Sequence, residues 1–214
     1  MRVDEASDRS YLEDMILNES SHTEPAPSGG AHVCPAWAGP LLCCPLRRLF
    51  ERPETLLGDH VKPGMTVLEP GCGMGYFTLP IARMTGPDGR VVAVDLQPKM
   101  IEGLNRRARR AGLLDRIEAV ACADGDLGLA ARPGVVDVAV VIHVLHEVRD
   151  RPRFLEQLYD ALRPGGRLLL LEPKGHVSRG ALDAELALSE RTGFRPVGEP
   201  AHRRSHGALL EKAR

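Results

Sequence analysis

The sequence predicts an α/β protein with a doubly wound, mostly parallel seven-stranded sheet. Three observations carry this. Strand-like and helix-like segments alternate strictly from about Val61 onward, the strand-like runs are almost unbroken in their apolar character, and a glycine-rich turn follows the first of them. A strand buried on both faces reads as continuous Val, Ile and Leu, whereas a strand with one wet face alternates. The 214 residues, 43% hydrophobic and 27% charged, suit one domain with a small appendage.

In chain order, residues 1–31 are acidic and then rich in Ser, Pro and Gly, and are expected to form a flexible acidic arm. Residues 32–60 mix apolar pairs with prolines that cut any helix short, and are expected to form a helical N-terminal lid that includes Trp37. Residues 61–214 are expected to form the ligand-binding domain. Within it "MTVLEP" reads as a strand, "YFTLPIARMTG" as a helix with a glycine stop, "RVVAVDL" as a strand, and "PKMIEGLNRRARRAG" as an amphipathic helix with Pro98 near its start. "RIEAVACAD" is a third strand and "VVDVAVVIHVL" a fourth. A helix over "RPRFLEQLYDALRPGG" leads to the strand "RLLLLEP". The helix "SRGALDAELALSERTG" and two closing strands, "FRPVGEP" and "GALLEKA", complete the series.

In such a sheet the ligand lies beyond the carboxyl ends of the strands, near the point where strand order switches. Attention therefore falls on Glu69 to Gly75, Asp95, Asp124, His143 to Glu147, and Glu172 to His176. A dinucleotide loop reads GxGxxG, its third glycine allowing close helix packing beneath a pyrophosphate. Here Gly71, Gly73 and Gly75 read GxGxG, and Tyr76 stands where the third dinucleotide glycine would be. Glu69 precedes the turn, and its carboxylate would repel a pyrophosphate but pair with an ammonium group. That pattern favours a nucleoside bearing an amino acid over a dehydrogenase cofactor. Asp95 ends the next strand, about 20 residues beyond the loop, as a ribose-binding acid does.

"VLEPGCGMG" resembles the first motif of class I S-adenosylmethionine-dependent methyltransferases, and the likeness extends from about Val61 through the remaining strands. "VVAVDL", "ACADGDL", "DVAVVIHVLHEV" and "LRPGGRLLLLEP" resemble the motifs of the second to fifth strands. The resemblance implies the class I methyltransferase fold and S-adenosylmethionine as cofactor, held by Glu69, Gly71, Gly73, Gly75, Asp95, Leu96 and Asp124. Asp95 would take both ribose hydroxyls and Asp124 the adenine amino group, with Asp126 near enough to replace it. Cys72 and Met74 read as loop fillers.

Because a sulfonium methyl is intrinsically electrophilic, the main task is to hold a nucleophile in line with it. Only a nucleophile that carries a proton needs a base, and His143 and His146 are the candidates, as catalytic residues or as local hydrogen-bonding groups. His143, His146 and Glu147 have i, i+3, i+4 spacing, but HxxHE matches neither zinc-helix order, and no metal is expected. Lys174 reads equally as a site residue or a surface charge.

The expected acceptor is a small molecule. The net charge of −1 gives no general attraction to nucleic acid, "NRRARR" reads as a solvated helix face, and aromatics for base stacking are scarce at 4%. Cys34, Cys43 and Cys44 raise thiol or metalloid methylation as an alternative, although arsenite methyltransferases carry a cysteine after the fourth strand where this chain has His143. An RNA methyltransferase, and a cofactor-binding protein without catalysis, are further alternatives. The expected setting is cytoplasmic, with reduced thiols and no membrane span.

Overall fold

The computed structural model describes residues 51–200 and 202–214. The expected acidic arm, most of the expected lid, Trp37, and Cys34, Cys43 and Cys44 lie outside the described residues. Among the described residues twelve α-helices and β-strands follow one another: α1 (Pro53–Leu57), β1 (Thr66–Pro70), α2 (Thr78–Met84), β2 (Arg90–Asp95), α3 (Pro98–Arg110), β3 (Ile117–Ala121), β4 (Val136–Ile142), α4 (Arg151–Ala161), β5 (Leu162–Pro173), α5 (Arg179–Thr192), β6 (Phe194–Gly198) and β7 (Ser205–Lys212).

The seven strands lie in the order β3-β2-β1-β4-β5-β7-β6. β1 pairs with β2 on one side and β4 on the other, all parallel, so the order reverses at β1 and opens a crevice at its carboxyl end. β7 is antiparallel to both β5 and β6 and is inserted between them. The sheet is therefore mixed at one end and parallel through the other five strands.

Alternation along the strands divides the core into two layers. Val67, Val91, Ala93, Val138, Val140, Leu169 and Leu171 face α1, α2 and α3, where Leu57, Ile81, Leu104 and Ala108 cover them. Leu68, Val92, Val94, Ala139, Val141, Leu168 and Leu170 face α4 and α5, where Leu155, Leu158 and Leu182 close the other side. Each fully buried Leu or Ile contributes about 1.5–3 kcal/mol of apolar burial. These layers make the sheet a rigid base, leaving the strand ends to carry ligands.

Local signals account for the helix ends. Pro98 opens α3, and Arg107, Arg109 and Arg110 occupy its last turn, where cations complement the helix dipole. Asp150 caps α4 by accepting from the Arg153 amide, and Ser178 caps α5 by accepting from Ala181. α4 ends at Ala161, short of the "LRPGG" that the sequence pattern assigns to it, because Leu162 already pairs with Val136 as the start of β5.

Candidate active site

The turn after β1 is held from every side. Cys72 donates its amide to the Val94 carbonyl, and Gly73 donates to Oδ2 of Asp95 at 2.8 Å. Oδ1 of Asp95 accepts from the Gln97 amide at 2.9 Å, so this one carboxylate ties the glycine loop to the start of α3. Arg107 donates to the Met74 carbonyl, and the Met74 side chain lies against Gly103 of α3. The basic run in α3 is thus not all solvated face, since Arg107 braces the loop.

Gly71 and Gly73 both have left-handed backbone, at φ 67° and 52°, yet they serve different ends. A Cβ on Gly71 would lie 2.5 Å from Cγ2 of Val144, whereas a Cβ on Gly73 would meet nothing within 4 Å. Gly71 is the seat of the β4 turn, and Gly73 is the open wall of the crevice; Gly75, at φ 83°, packs under Leu104. We expect Gly71→Ala to cost about 2–3 kcal/mol, from strain plus overpacking, and Gly73→Ala about 1 kcal/mol. Denaturant unfolding of the two variants checks the difference.

Acids line the crevice. Glu69 is buried, and its Oε2 has no hydrogen-bond partner within the protein among the described residues. Burial pushes its carboxyl up to about 8, the nearby Thr78 hydroxyl opposing and the charge of Asp95 adding to the rise. Burial also raises Asp95, against the amides of Gln97 and Gly73. Leu96 beside it is one of three large apolar side chains left exposed among the described residues, with Val135 and Val197. Asp124 follows β3 in an exposed turn, 3.5 Å from an Arg149 guanidinium nitrogen. Asp126 is occupied in that turn, accepting from the Gly128 amide at 2.8 Å.

After β4 the two histidines part company. His143 adopts φ 59°, a left-handed conformation in which His is tolerated, and its Nε2 lies 2.8 Å from the Ser205 hydroxyl on β7. The chain then forms a 3₁₀ turn over Leu145–Glu147, so His143, His146 and Glu147 do not share a helix face. Among the described residues no group of three His, Cys, Asp or Glu side chains is arranged to hold a metal ion. His146 Nδ1 is hydrogen-bonded to Oε2 of Glu172, while Oε1 of Glu172 accepts from the Leu145 amide at 2.9 Å. Arg151 donates to the carbonyls of Leu145 and His146, both at 3.1 Å, and approaches the buried Glu185 at 3.9 Å.

Glu172 is fully buried, so it supports the site from beneath and does not line it. Burial pushes it up to about 7, opposed by the amides of residues 144–146 and by Arg151. Lys174 is a surface charge, donating to the carbonyls of His202 and Arg203. Sequence reasoning missed Arg151 and Glu185, although Glu185 shares a buried helix face with Leu182 and Ser189, an acid in an apolar stripe.

An open groove of about 390 Å³ lies at the opposite, amino ends of the strands, lined among others by Lys62, Asp137, Arg163, Arg167 and Glu211. Two of its arginines are paired, Arg163 with Asp137 at 2.7 Å and Arg167 with Glu211 at 3.2 Å, and Lys62 donates to the Gly58 carbonyl. The chemistry-bearing residues are all at the other end. No helix among the described residues is long and apolar enough to cross a membrane.

Residues 67–166 match a family model described as a methyltransferase domain. The ubiquinone/menaquinone biosynthesis C-methyltransferase UbiE of Enterobacter sp. (strain 638) is 33% identical over 127 residues, which is 59% of this chain and 49% of that protein. The demethylmenaquinone methyltransferase of Symbiobacterium thermophilum is 32% identical over 126 residues, again 59% and 49%. The chain thus spans about half the length of the curated relatives it matches. The crystal structure of a SAM-dependent methyltransferase from Aquifex aeolicus has the same fold, with a TM-score of 0.74 at 23% identity over 83% of this chain and 98% of that one. With a parallel five-strand body, β7 inserted antiparallel, and a glycine loop at the switch point, the chain has the class I S-adenosylmethionine-dependent methyltransferase fold, and residues 67–166 of it match the methyltransferase-domain model.

Proposed function

We propose that the chain transfers a methyl group from S-adenosylmethionine to a small-molecule acceptor, and that Glu69, Gly71, Gly73, Gly75, Asp95, Leu96 and Asp124 hold the cofactor. The observation that carries this reading is the buried Oε2 of Glu69 near the carboxyl end of β1, which has no hydrogen-bond partner among the described residues and lies near the charge of Asp95. An unsatisfied buried carboxylate oxygen is costly unless a ligand completes it. The ammonium of a methionyl nucleoside does so, and a net-positive ligand suits an acidic crevice. A pyrophosphate would instead meet Glu69, Asp95 and Asp124 at close quarters.

Each residue then has a distinct task. Asp95 keeps lone pairs beyond its two backbone bonds for the ribose hydroxyls, Gly73 offers open backbone, and Leu96 offers apolar cover for the adenine. Asp124, with Arg149 as counter-ion, takes the adenine amino group. When bound, S-adenosylmethionine supplies an electrophilic methyl on a positive sulfur. The 3₁₀ turn that carries His146 sits on Gly71 through Val144, so this histidine borders the transfer site. His143 is engaged with Ser205 and serves to hold the turn.

The names of the curated relatives point to a ring of the quinone-precursor type as the first acceptor class to test, with carbon as the methylated atom. Calorimetric titration with S-adenosylmethionine, S-adenosylhomocysteine and NAD, followed by a screen of hydroquinones and phenols for S-adenosylhomocysteine release, tests the reading. Binding of the adenosyl ligands without NAD, and product release with a protic ring, is expected. Binding of NAD alone overturns it.

A further inference from the structure

We infer that Glu172 is a positioning residue that fixes the ring tautomer of His146, leaving Nε2 as the proton acceptor of the site and selecting an acceptor that sheds a proton when methylated. This rests on the proposed methyl transfer and adds to it a named atom and a substrate class.

The geometry leaves Glu172 little choice. Its Oε1 is occupied by the Leu145 amide and its Oε2 by His146 Nδ1, within a pocket from which solvent is excluded. An ionised carboxylate can only accept, so Nδ1 carries the proton, and in the neutral ring Nε2 is then bare. Nε2, on the side of the ring away from Glu172, lies 3.9 Å from Oε1 of Glu147, and the His146 side chain is 21% exposed. Arg151 clamps the same turn through two carbonyls, and Val144 locks it onto the glycine loop. Such support is far more than a surface histidine needs.

The groups facing His146 are Glu147 from its own turn, Glu172 and His176 from the end of β5 and beyond, Arg151 from α4, and Glu185 from α5. Burial draws His146 down, while it pushes Glu172 and Glu185 up to about 7. Once Glu172 is ionised and the ring is neutral, His146 carries its single proton on Nδ1, facing the carboxylate.

In the transfer step a bond forms between the acceptor atom and the methyl carbon. The carbon–sulfur bond breaks with its electron pair returning to sulfur, and the acceptor's proton passes to Nε2 of His146. An acceptor with a free lone pair and no proton to lose needs no such nitrogen. A phenol, an enol or an electron-rich ring carbon does.

Nitrogen-15 NMR of the S-adenosylhomocysteine-bound protein, with His146→Asn to assign the signals, reads the tautomer directly in the wild type and in Glu172→Gln. In the variant the amide oxygen is claimed by the Leu145 amide, so its NH₂ faces Nδ1 and drives the proton to Nε2. We expect the Nδ1–H form in the wild type and the Nε2–H form in the variant. We also expect kcat to fall about 10²- to 10³-fold, with adenosyl-ligand affinity unchanged. The rise of kcat with pH through neutrality should vanish as well. An Nε2–H tautomer in the wild type, which can be read whether or not the variant folds, overturns the inference, as does one tautomer common to both proteins. Adenosyl-ligand binding and turnover are read separately, so a failure of the methyl-transfer reading is distinguishable from a failure of the tautomer assignment.

Discussion

Asp95→Ala should lower the affinity for S-adenosylmethionine and S-adenosylhomocysteine by about 100-fold or more. The carboxylate is asked to do two things at once. Its two oxygens already accept the Gly73 and Gln97 amides, which shapes the loop, and its remaining lone pairs are the proposed partners of the ribose hydroxyls. A hydrogen bond to a charged group is worth about 1.5–3 kcal/mol, so losing two ribose contacts removes about two orders of magnitude or more. Alanine also leaves two amide donors without an acceptor, which loosens the Gly71–Gly75 turn. Calorimetric titration beside a thermal melt separates these effects. Asp95→Asn, which keeps one carbonyl acceptor, should retain more of the loop's stability than of the ligand affinity. Undiminished affinity in Asp95→Ala would remove this residue from the ribose site.

The ligand-free chain should become less stable as pH rises from about 5 to about 8, opposite to the usual behaviour of ion-paired carboxylates. The Glu69 carboxyl is raised from 4.5 to about 8 by burial, so in this window the folded state keeps a proton that the unfolded chain has released. Stability falls wherever the native state binds more protons than the unfolded one, and the full span is on the order of 4 kcal/mol. Glu172 and Glu185, each raised to about 7, act in the same direction over the lower part of the window. The melting midpoint should drop by roughly 10 °C across the window. Glu69→Gln should remove the upper part of that drop. Pairing with a ligand ammonium requires the ionised form, so binding near pH 7 should expel a proton. Titrations in buffers of different ionisation heat would then give different apparent enthalpies, and Glu69→Gln should make them agree. Equal enthalpies in the unmodified protein would mean that Glu69 does not change its charge on binding.

Much of the fold was legible because doubly covered strands have an unmistakable texture. The runs at Val67, Val91, Val138 and Leu168 are apolar at successive positions since both layers of the core need them. The glycine spacing and Asp95 were legible for a local reason too, because a tight turn and a strand-end acid are short-range requirements. What escaped was non-local. Nothing in "FRPVGEP" or "GALLEKA" says that the second of these enters the sheet before the first. Arg107 looked like one cation among several until α3 was docked with its last turns facing Met74. Glu172 looked like a site acid, and only the packing of β5 against the turn after β4 turns it inward to His146. The helical spacing of His143, His146 and Glu147 makes no shared face, because a left-handed residue breaks the register before the 3₁₀ turn begins.

The place of β7 between β5 and β6 governs how the molecule can be assembled during synthesis. β6 has no strand to lie against until residues 205–212 have been made, and β5 stays an open edge, with Leu168 to Leu171 unpaired on that side, for the same interval. A growing chain thus carries a long apolar edge that is a template for wrong partners until its last strand arrives. The crevice residues on β1 to β4 belong to the part that can form first, so the groups proposed to bind the cofactor can be in place before the sheet is complete. Loss of β7 alone would strand β6 and reopen that edge, leaving a protein whose recognition loop is intact and whose failing is aggregation.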